Sequence, residues 1–130
     1  MSLSDPIANL LTKVRNAKSA KHKYVDVVHS RTAKEIVEVL KFTGFIENYL
    51  VSDNKHTLRI FLKYSKMRES VIQGLKRYSK PGLRRYVGYR DIPNILGGLG
   101  VSVLSTPEGV IDGETAKKKK VGGELLCYVW

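Results

Sequence analysis

Gly122-Gly123-Glu124-Leu125-Leu126-Cys127-Tyr128-Val129-Trp130 is the stretch on which the reading of this chain turns. A Gly-Gly step feeds a run that is apolar on both faces. Strict alternation sends Leu125, Cys127 and Val129 one way and Leu126, Tyr128 and Trp130 the other. Chain ends ordinarily fray, so a segment this apolar is expected to be a strand tied into a core. Glu124 stands at its mouth, directly after glycines that let backbone approach a partner closely. The strand builds structure, and the glycines with Glu124 are candidates to present a surface.

Working outward, the second half reads mostly as strands: Val71–Tyr78, Leu83–Val87 and Val101–Ser105 precede the closing one. Pro81-Gly82 suits the centre of a type II turn. Asp112–Lys120 reads as a short helix begun by Asp112, and it carries four consecutive lysines, Lys117–Lys120. The first half has a different texture. Asp5 and Pro6 open a helix, and Ile7, Leu10, Leu11 and Val14 follow at helical spacing. Tyr24–Val28 reads as a strand. Ser30 caps a second helix with Ile36, Val37 and Leu40 inward, and Gly44 stops it. Phe45–Val51 and Thr57–Tyr64 flank a polar Ser52–Lys55 turn, a hairpin. The expected fold class is α+β with two small domains. Residues 1–64 are expected to form an α-β-α-β-β unit, and residues 65–130 a β-rich unit with one short helix. The polar stretch Tyr64–Glu69 is the expected linker.

Composition narrows the function. Of 130 residues, 23 are Lys or Arg and 12 are Asp or Glu, a formal net charge of +11. Each half carries six acids, against eleven basic residues in the first and twelve in the second. A small chain that is basic throughout is expected to meet a polyanion. No run approaches the roughly 20 apolar residues that a membrane helix needs, and Met1–Pro6 lacks the layout of a signal peptide. A membrane partner is therefore not expected. The single cysteine, Cys127, can form neither an internal disulfide nor a multi-thiolate metal site, and reads as a small buried hydrophobe. These features point to a reducing, soluble compartment.

The marks of an enzyme are weak. His22, His29 and His56 show no metal-ligand spacing. Gly97-Gly98-Leu99-Gly100 lacks both the dinucleotide fingerprint and the Gly-Lys-Ser/Thr of a phosphate loop, and reads as a tight turn into a strand. No pair of acids suggests general acid/base work. Neither cofactor nor metal is expected.

Residues 70–90 speak for a polyanion. Lys76, Arg77, Lys80, Arg84, Arg85 and Arg90 occur with no acid between Glu69 and Asp91, and Tyr78, Tyr86 and Tyr89 are interleaved with them. Cations neutralise phosphates, and tyrosines stack on bases or donate to sugar and phosphate. The bland alternative is a solvated basic hairpin whose tyrosines cover a core. Ser105-Thr106-Pro107-Glu108-Gly109 then offers short hydroxyls suited to a shallow RNA minor groove lined with 2′-hydroxyls.

Several motifs together resemble the bacterial-type small-subunit ribosomal protein eight family. They are Asp5-Pro6-Ile7-Ala8, Leu11-Thr12-Lys13-Val14-Arg15-Asn16, Gly44-Phe45-Ile46, Ser79-Lys80-Pro81-Gly82, Leu96–Gly100, Ser105-Thr106, and Gly122-Gly123-Glu124 with Tyr128-Val129-Trp130. They fall in the family's order and cover nearly the whole chain. The resemblance implies a structural constituent of the small ribosomal subunit. It also implies a primary binder of an irregular stem in the central domain of small-subunit ribosomal RNA, acting early in assembly beside neighbouring ribosomal proteins. A cytoplasmic ribosome is the expected place, with an organellar one left open. Carried over by motif, the main contact falls on Ser105, Thr106, Gly122, Gly123 and Glu124, with Tyr86 and Lys80 as neighbours. Thr12, Arg15 and Asn16 are implied as contacts of the N-terminal half.

One position departs from the family. Where the family usually has a third hydroxyl, in Ser-Thr-Ser, this chain has Pro107, which removes the hydroxyl and a backbone N–H. Glu108 beside it brings a negative charge near the expected RNA face. Glu124 itself has two readings: it accepts from a base amino group or a 2′-hydroxyl, or it braces its own loop by accepting backbone N–H bonds. For the whole chain the ribosomal reading is preferred. An RNA-modifying enzyme would need a cofactor pocket or acid/base pair that the sequence does not offer, so no enzyme is expected. The resemblance allows a repressor of messenger RNA as a second role. The repressor would use the same surface.

Overall fold

The computed structural model describes residues 5–130; Met1–Ser4, part of the opening read above for a signal-peptide layout, lie outside them. The chain divides into two compact units between Gln73 and Gly74.

The first unit is built from α1 (Pro6–Ser19), β1 (Tyr24–Val28), α2 (Arg31–Phe42), β2 (Ile46–Val51) and β3 (Thr57–Leu62). Its helix signals act as expected. The Asp5 carboxylate accepts from Ala8 N–H at 3.1 Å and the Ser30 hydroxyl from Ala33 N–H at 3.0 Å, each satisfying one orphan donor of a first turn. Gly44 ends α2 with a φ of +88°, and Phe45 N–H reaches back to the Leu40 carbonyl. The sheet is antiparallel in the order β1-β3-β2. Strand β3 alternates as its sequence does: Leu58, Ile60 and Leu62 are buried, whereas Thr57, Arg59 and Phe61 are partly exposed. Burying each such Leu or Ile contributes on the order of 1.5–3 kcal/mol. Leu10, Leu11 and Val14 of α1 and Ile36, Val37 and Leu40 of α2 are buried in the same unit.

The polar stretch after Tyr64 is a turn rather than an open linker. Tyr64 bridges to Ser70, and Val71 N–H bonds to the Lys63 carbonyl at 3.0 Å. Those bonds draw Val71 away from the strand expected from residue 71 onward. The second unit therefore begins its sheet at β4 (Leu75–Arg77), followed by β5 (Tyr86–Val87), β6 (Val101–Thr106), β7 (Gly109–Asp112), α3 (Gly113–Lys119) and β8 (Gly123–Val129).

Strand β8 is the middle of this sheet. It pairs with β6 along one side, and with both β4 and β5 along the other, all antiparallel. That position explains why its sequence is apolar on both faces. Strict alternation fails at one point, however. Val103 pairs with Cys127 and Leu104 with Leu125, so Leu126 is the extra residue of a β-bulge. Beyond the bulge the faces exchange, and Leu125 and Tyr128 pack against the same cluster, made with Ile92, Leu104 and Ala116.

Two further expectations are corrected here. The strand expected over Leu83–Val87 is only Tyr86–Val87, because Leu83 is held in a turn through paired bonds with Lys80 at 3.1 and 2.9 Å. Gly82 is absent from the positive-φ glycines, so the Pro81-Gly82 turn is not type II. Strand β7 has no counterpart among the expected strands; its Val110 and Ile111 pair with Ser105 and Leu104.

Candidate functional site

Three strands bring the candidate residues of the second unit into one row. Tyr86 on β5 pairs with Glu124 on β8, which pairs in turn with Ser105 on β6. Neighbouring strands lie roughly 4.7–4.9 Å apart, so the three side chains form a short ladder. Each neighbours a residue of the opposite face, as Ser105 does Leu104 and Glu124 does Leu125, so the row lies away from the core cluster.

The glycines are required by this packing. A Cβ on Gly123 would fall on the Ser105 carbonyl, and one on Gly122 on the Val87 carbonyl. Their small size lets β5 and β6 close around β8, and it is that closure which aligns Tyr86, Glu124 and Ser105. The glycines thus set the spacing of the strands on which Tyr86, Glu124 and Ser105 stand.

Glu124 is braced, and by side chains rather than the backbone N–H groups considered above. Ser79 Oγ donates to its Oε2 at 2.5 Å, and Arg84 Nη1 donates to the same oxygen at 3.0 Å. Burial pushes the carboxyl upward, but the Ser79 and Arg84 hydrogen bonds and the charges of Arg84 and Arg77 outweigh it. The net effect holds Glu124 below its ordinary value, and ionised at neutral pH. Around it, Tyr86 is 70% exposed, and Lys80, Arg84 and Arg85 are exposed as well.

The two hydroxyls of the neighbouring loop differ. Thr106 Oγ1 donates to the Gly109 carbonyl at 2.8 Å and accepts from Glu108 N–H at 3.1 Å, so it shapes its own turn. Ser105 Oγ has no protein partner among the described residues, and is the hydroxyl left for a ligand. Pro107 occupies the exposed tip. Glu108 does not stand bare: Lys119 Nζ lies 3.4 Å from its carboxylate. The lysine run ends α3, where Lys117, Lys118 and Lys119 complement the negative end of the helix dipole.

Thr12, Arg15 and Asn16 lie on α1 of the first unit, all exposed and at the i, i+3, i+4 spacing of one helix face. Ser79 and Arg84, the side chains that hold Glu124, are residues that the sequence alone did not mark as its partners. Ser79 stood in a quoted motif and Arg84 in the basic cluster, but nothing local marked either as a partner of Glu124.

Residues 5–130 match the family model for ribosomal protein S8. The chain belongs to the ribosomal protein S8 family. Among its relatives, the small ribosomal subunit protein uS8 of Protochlamydia amoebophila is 53% identical over the full length of both chains. That of Chlamydia felis is 54% identical over 98% of this chain and 97% of its own. That of Pediococcus pentosaceus is 48% identical over the full length of both. The S8 family consists of ribosomal proteins of the small subunit and is not a family of enzymes. Among the described residues, no helix of this S8 protein is long and apolar enough to cross a membrane.

Proposed function

We propose that this protein binds an irregular stem in the central domain of small-subunit ribosomal RNA and supports assembly of the subunit. The main contact is made by the second half of the chain. The observation that carries this reading is the ladder of Tyr86, Glu124 and Ser105, a shaped polar row rimmed by Lys80, Arg84 and Arg85. The cations supply affinity that does not depend on sequence, through phosphate contacts and counterion release. The row supplies selection: Ser105 offers a short hydroxyl to the sugar edge, Tyr86 an exposed ring for stacking, and Glu124 an acceptor that phosphates repel.

Thr106, Gly122 and Gly123 serve the site by building its walls. Thr12, Arg15 and Asn16 supply RNA contacts from the first unit. In the assembled subunit, other ribosomal proteins lie alongside, and the ribosome is a cytoplasmic one, a reading that the bacterial relatives support. A messenger RNA that folds into the same stem would occupy the same surface, which is how translational repression would arise.

The test is binding to the ribosomal stem, a regular RNA duplex of equal length and the matching DNA duplex across a salt series. Selective binding to the stem near physiological salt is the expected result. If all three bind alike and weaken together as salt rises, only the charge acts, and the proposal fails.

A further inference from the structure

Ser79 follows β4 in a stretch of lysines and arginines, yet it is 0% exposed. A hydroxyl so buried must find partners, and this one finds two. It donates to Glu124 Oε2 at 2.5 Å and accepts from Arg85 N–H at 3.1 Å. Its main chain is held as firmly. Ser79 N–H donates to the Leu125 carbonyl at 3.1 Å, and Leu125 N–H donates to the Arg85 carbonyl at 3.0 Å. The guanidinium of Arg77 donates to the Ser79 carbonyl. The loop from Ser79 to Arg85 is thus clamped to β8 at both ends, with its two inner ends of turn joined through Lys80 and Leu83.

Both side-chain bonds to Glu124 converge on one oxygen. Arg84, half exposed, reaches Oε2 from the solvent side, while Ser79 holds it from within. No protein donor among the described residues reaches Oε1. A carboxylate held by one oxygen cannot rotate freely, so the second oxygen keeps a constant direction.

Resting on the RNA-binding reading above, we infer that Ser79 and Arg84 are positioning residues that lock Glu124 so that its free oxygen accepts from an RNA hydrogen-bond donor. That donor is a ribose 2′-hydroxyl or a base amino group; a phosphate, which is an acceptor and an anion, is rejected. The lock therefore governs selectivity between RNA shapes, whereas the surrounding cations govern affinity. Hydrogen bonding of this kind discriminates because a wrong partner leaves the acceptor unpaired.

The experiment uses the full chain and measures affinity for the ribosomal stem and for a regular RNA duplex at one salt concentration. Ser79→Ala is expected to lower the stem-to-duplex affinity ratio about tenfold, with duplex binding unchanged, since losing one hydrogen bond to a charged group has effects of this order. Ser79→Thr, which keeps the hydroxyl, is expected to restore the ratio. In a Glu124→Gln background, Ser79→Ala is expected to add little, because residues acting through one another are not additive. Stems carrying single 2′-deoxy substitutions, or inosine for guanine, separate the two donor sources. The one that loses the dependence on Glu124 names the donor.

If wild type prefers the stem and Ser79→Ala keeps that preference, the inference is overturned and the RNA reading stands. An equal loss in the Glu124→Gln background overturns it too. Should Ser79→Ala fail to fold, Arg84→Gln takes its place, since its side chain is half exposed; an unchanged ratio there is equally decisive against the inference. A wild-type protein without preference for the stem instead overturns the binding reading itself.

Discussion

Gly123 lies so close against the main chain of Ser105 that no Cβ fits between β8 and β6 at that point. Gly123→Ala must push the strands apart just where the ladder is built. Overpacking of this kind costs about 1–3 kcal/mol. The urea midpoint is expected to fall by a corresponding amount, and selective stem binding is expected to fall with it. An unchanged midpoint would mean that the strands part at no cost.

Ser105 and Thr106 are adjacent hydroxyls with different work. Ser105→Ala is expected to leave stability within about 0.5 kcal/mol, as for substitutions away from such features, while weakening stem binding. Thr106→Val removes two hydrogen bonds from the Thr106–Gly109 turn, each worth about 0.5–1.5 kcal/mol net, so its principal effect is on stability. Denaturation and binding measured on both variants check the division; the reverse pattern would contradict it.

Cys127 lies fully buried in the middle strand, and burial pushes its thiol up to about 12. Only the thiolate reacts readily. Alkylation by iodoacetamide at neutral pH is therefore expected to proceed no faster than unfolding, and to accelerate in urea along the unfolding transition. Rapid labelling of the native protein would show that β8 opens locally.

The lock on Glu124 also predicts a dependence on acid. Its carboxyl is held below the value it has in the unfolded chain, so the stabilisation is complete above the ordinary glutamate value of about 4.3. It is lost as pH falls through the folded value, because the unfolded chain then binds the proton first. Unfolding of wild type and Glu124→Gln from pH 7 to pH 3 is expected to give a difference that is constant at the upper end and shrinks below about pH 4.3. A difference constant throughout would show that the carboxylate contributes nothing by its charge.

What the sequence made legible was local. Ser30, the stripe of Ile36, Val37 and Leu40, and Gly44 mark α2 within one continuous stretch, and β3 declares itself by alternation. The apolar run of β8 likewise reads directly from its residues. What stayed hidden depended on partners distant in the chain. The bulge at Leu126 is a property of its pairing with β6, and no residue in β8 announces it. Strand β7 has only Val110 and Ile111 between turn-like neighbours, too short a signal to stand alone. The bond from Ser79 to Glu124 spans 45 residues; the composition signalled a basic surface there, but not which hydroxyl lay beneath it.

The middle position of β8 has a consequence for the order of events during synthesis. All its partners, β4, β5 and β6, leave the peptidyl-transferase centre before it does. Until β8 emerges, they have no common neighbour to pair with, and loops as long as that between β4 and β8 are slow to close. The first unit pairs its strands without waiting for β8, so a nascent chain folds in two instalments. The main RNA surface belongs to the second. A ribosome-bound chain arrested before Gly123 is expected to resist protease up to Gln73 and to show no preference for the stem over a regular duplex; selective stem capture by such a chain would refute this order. Half-made copies would then not compete with finished protein for the RNA.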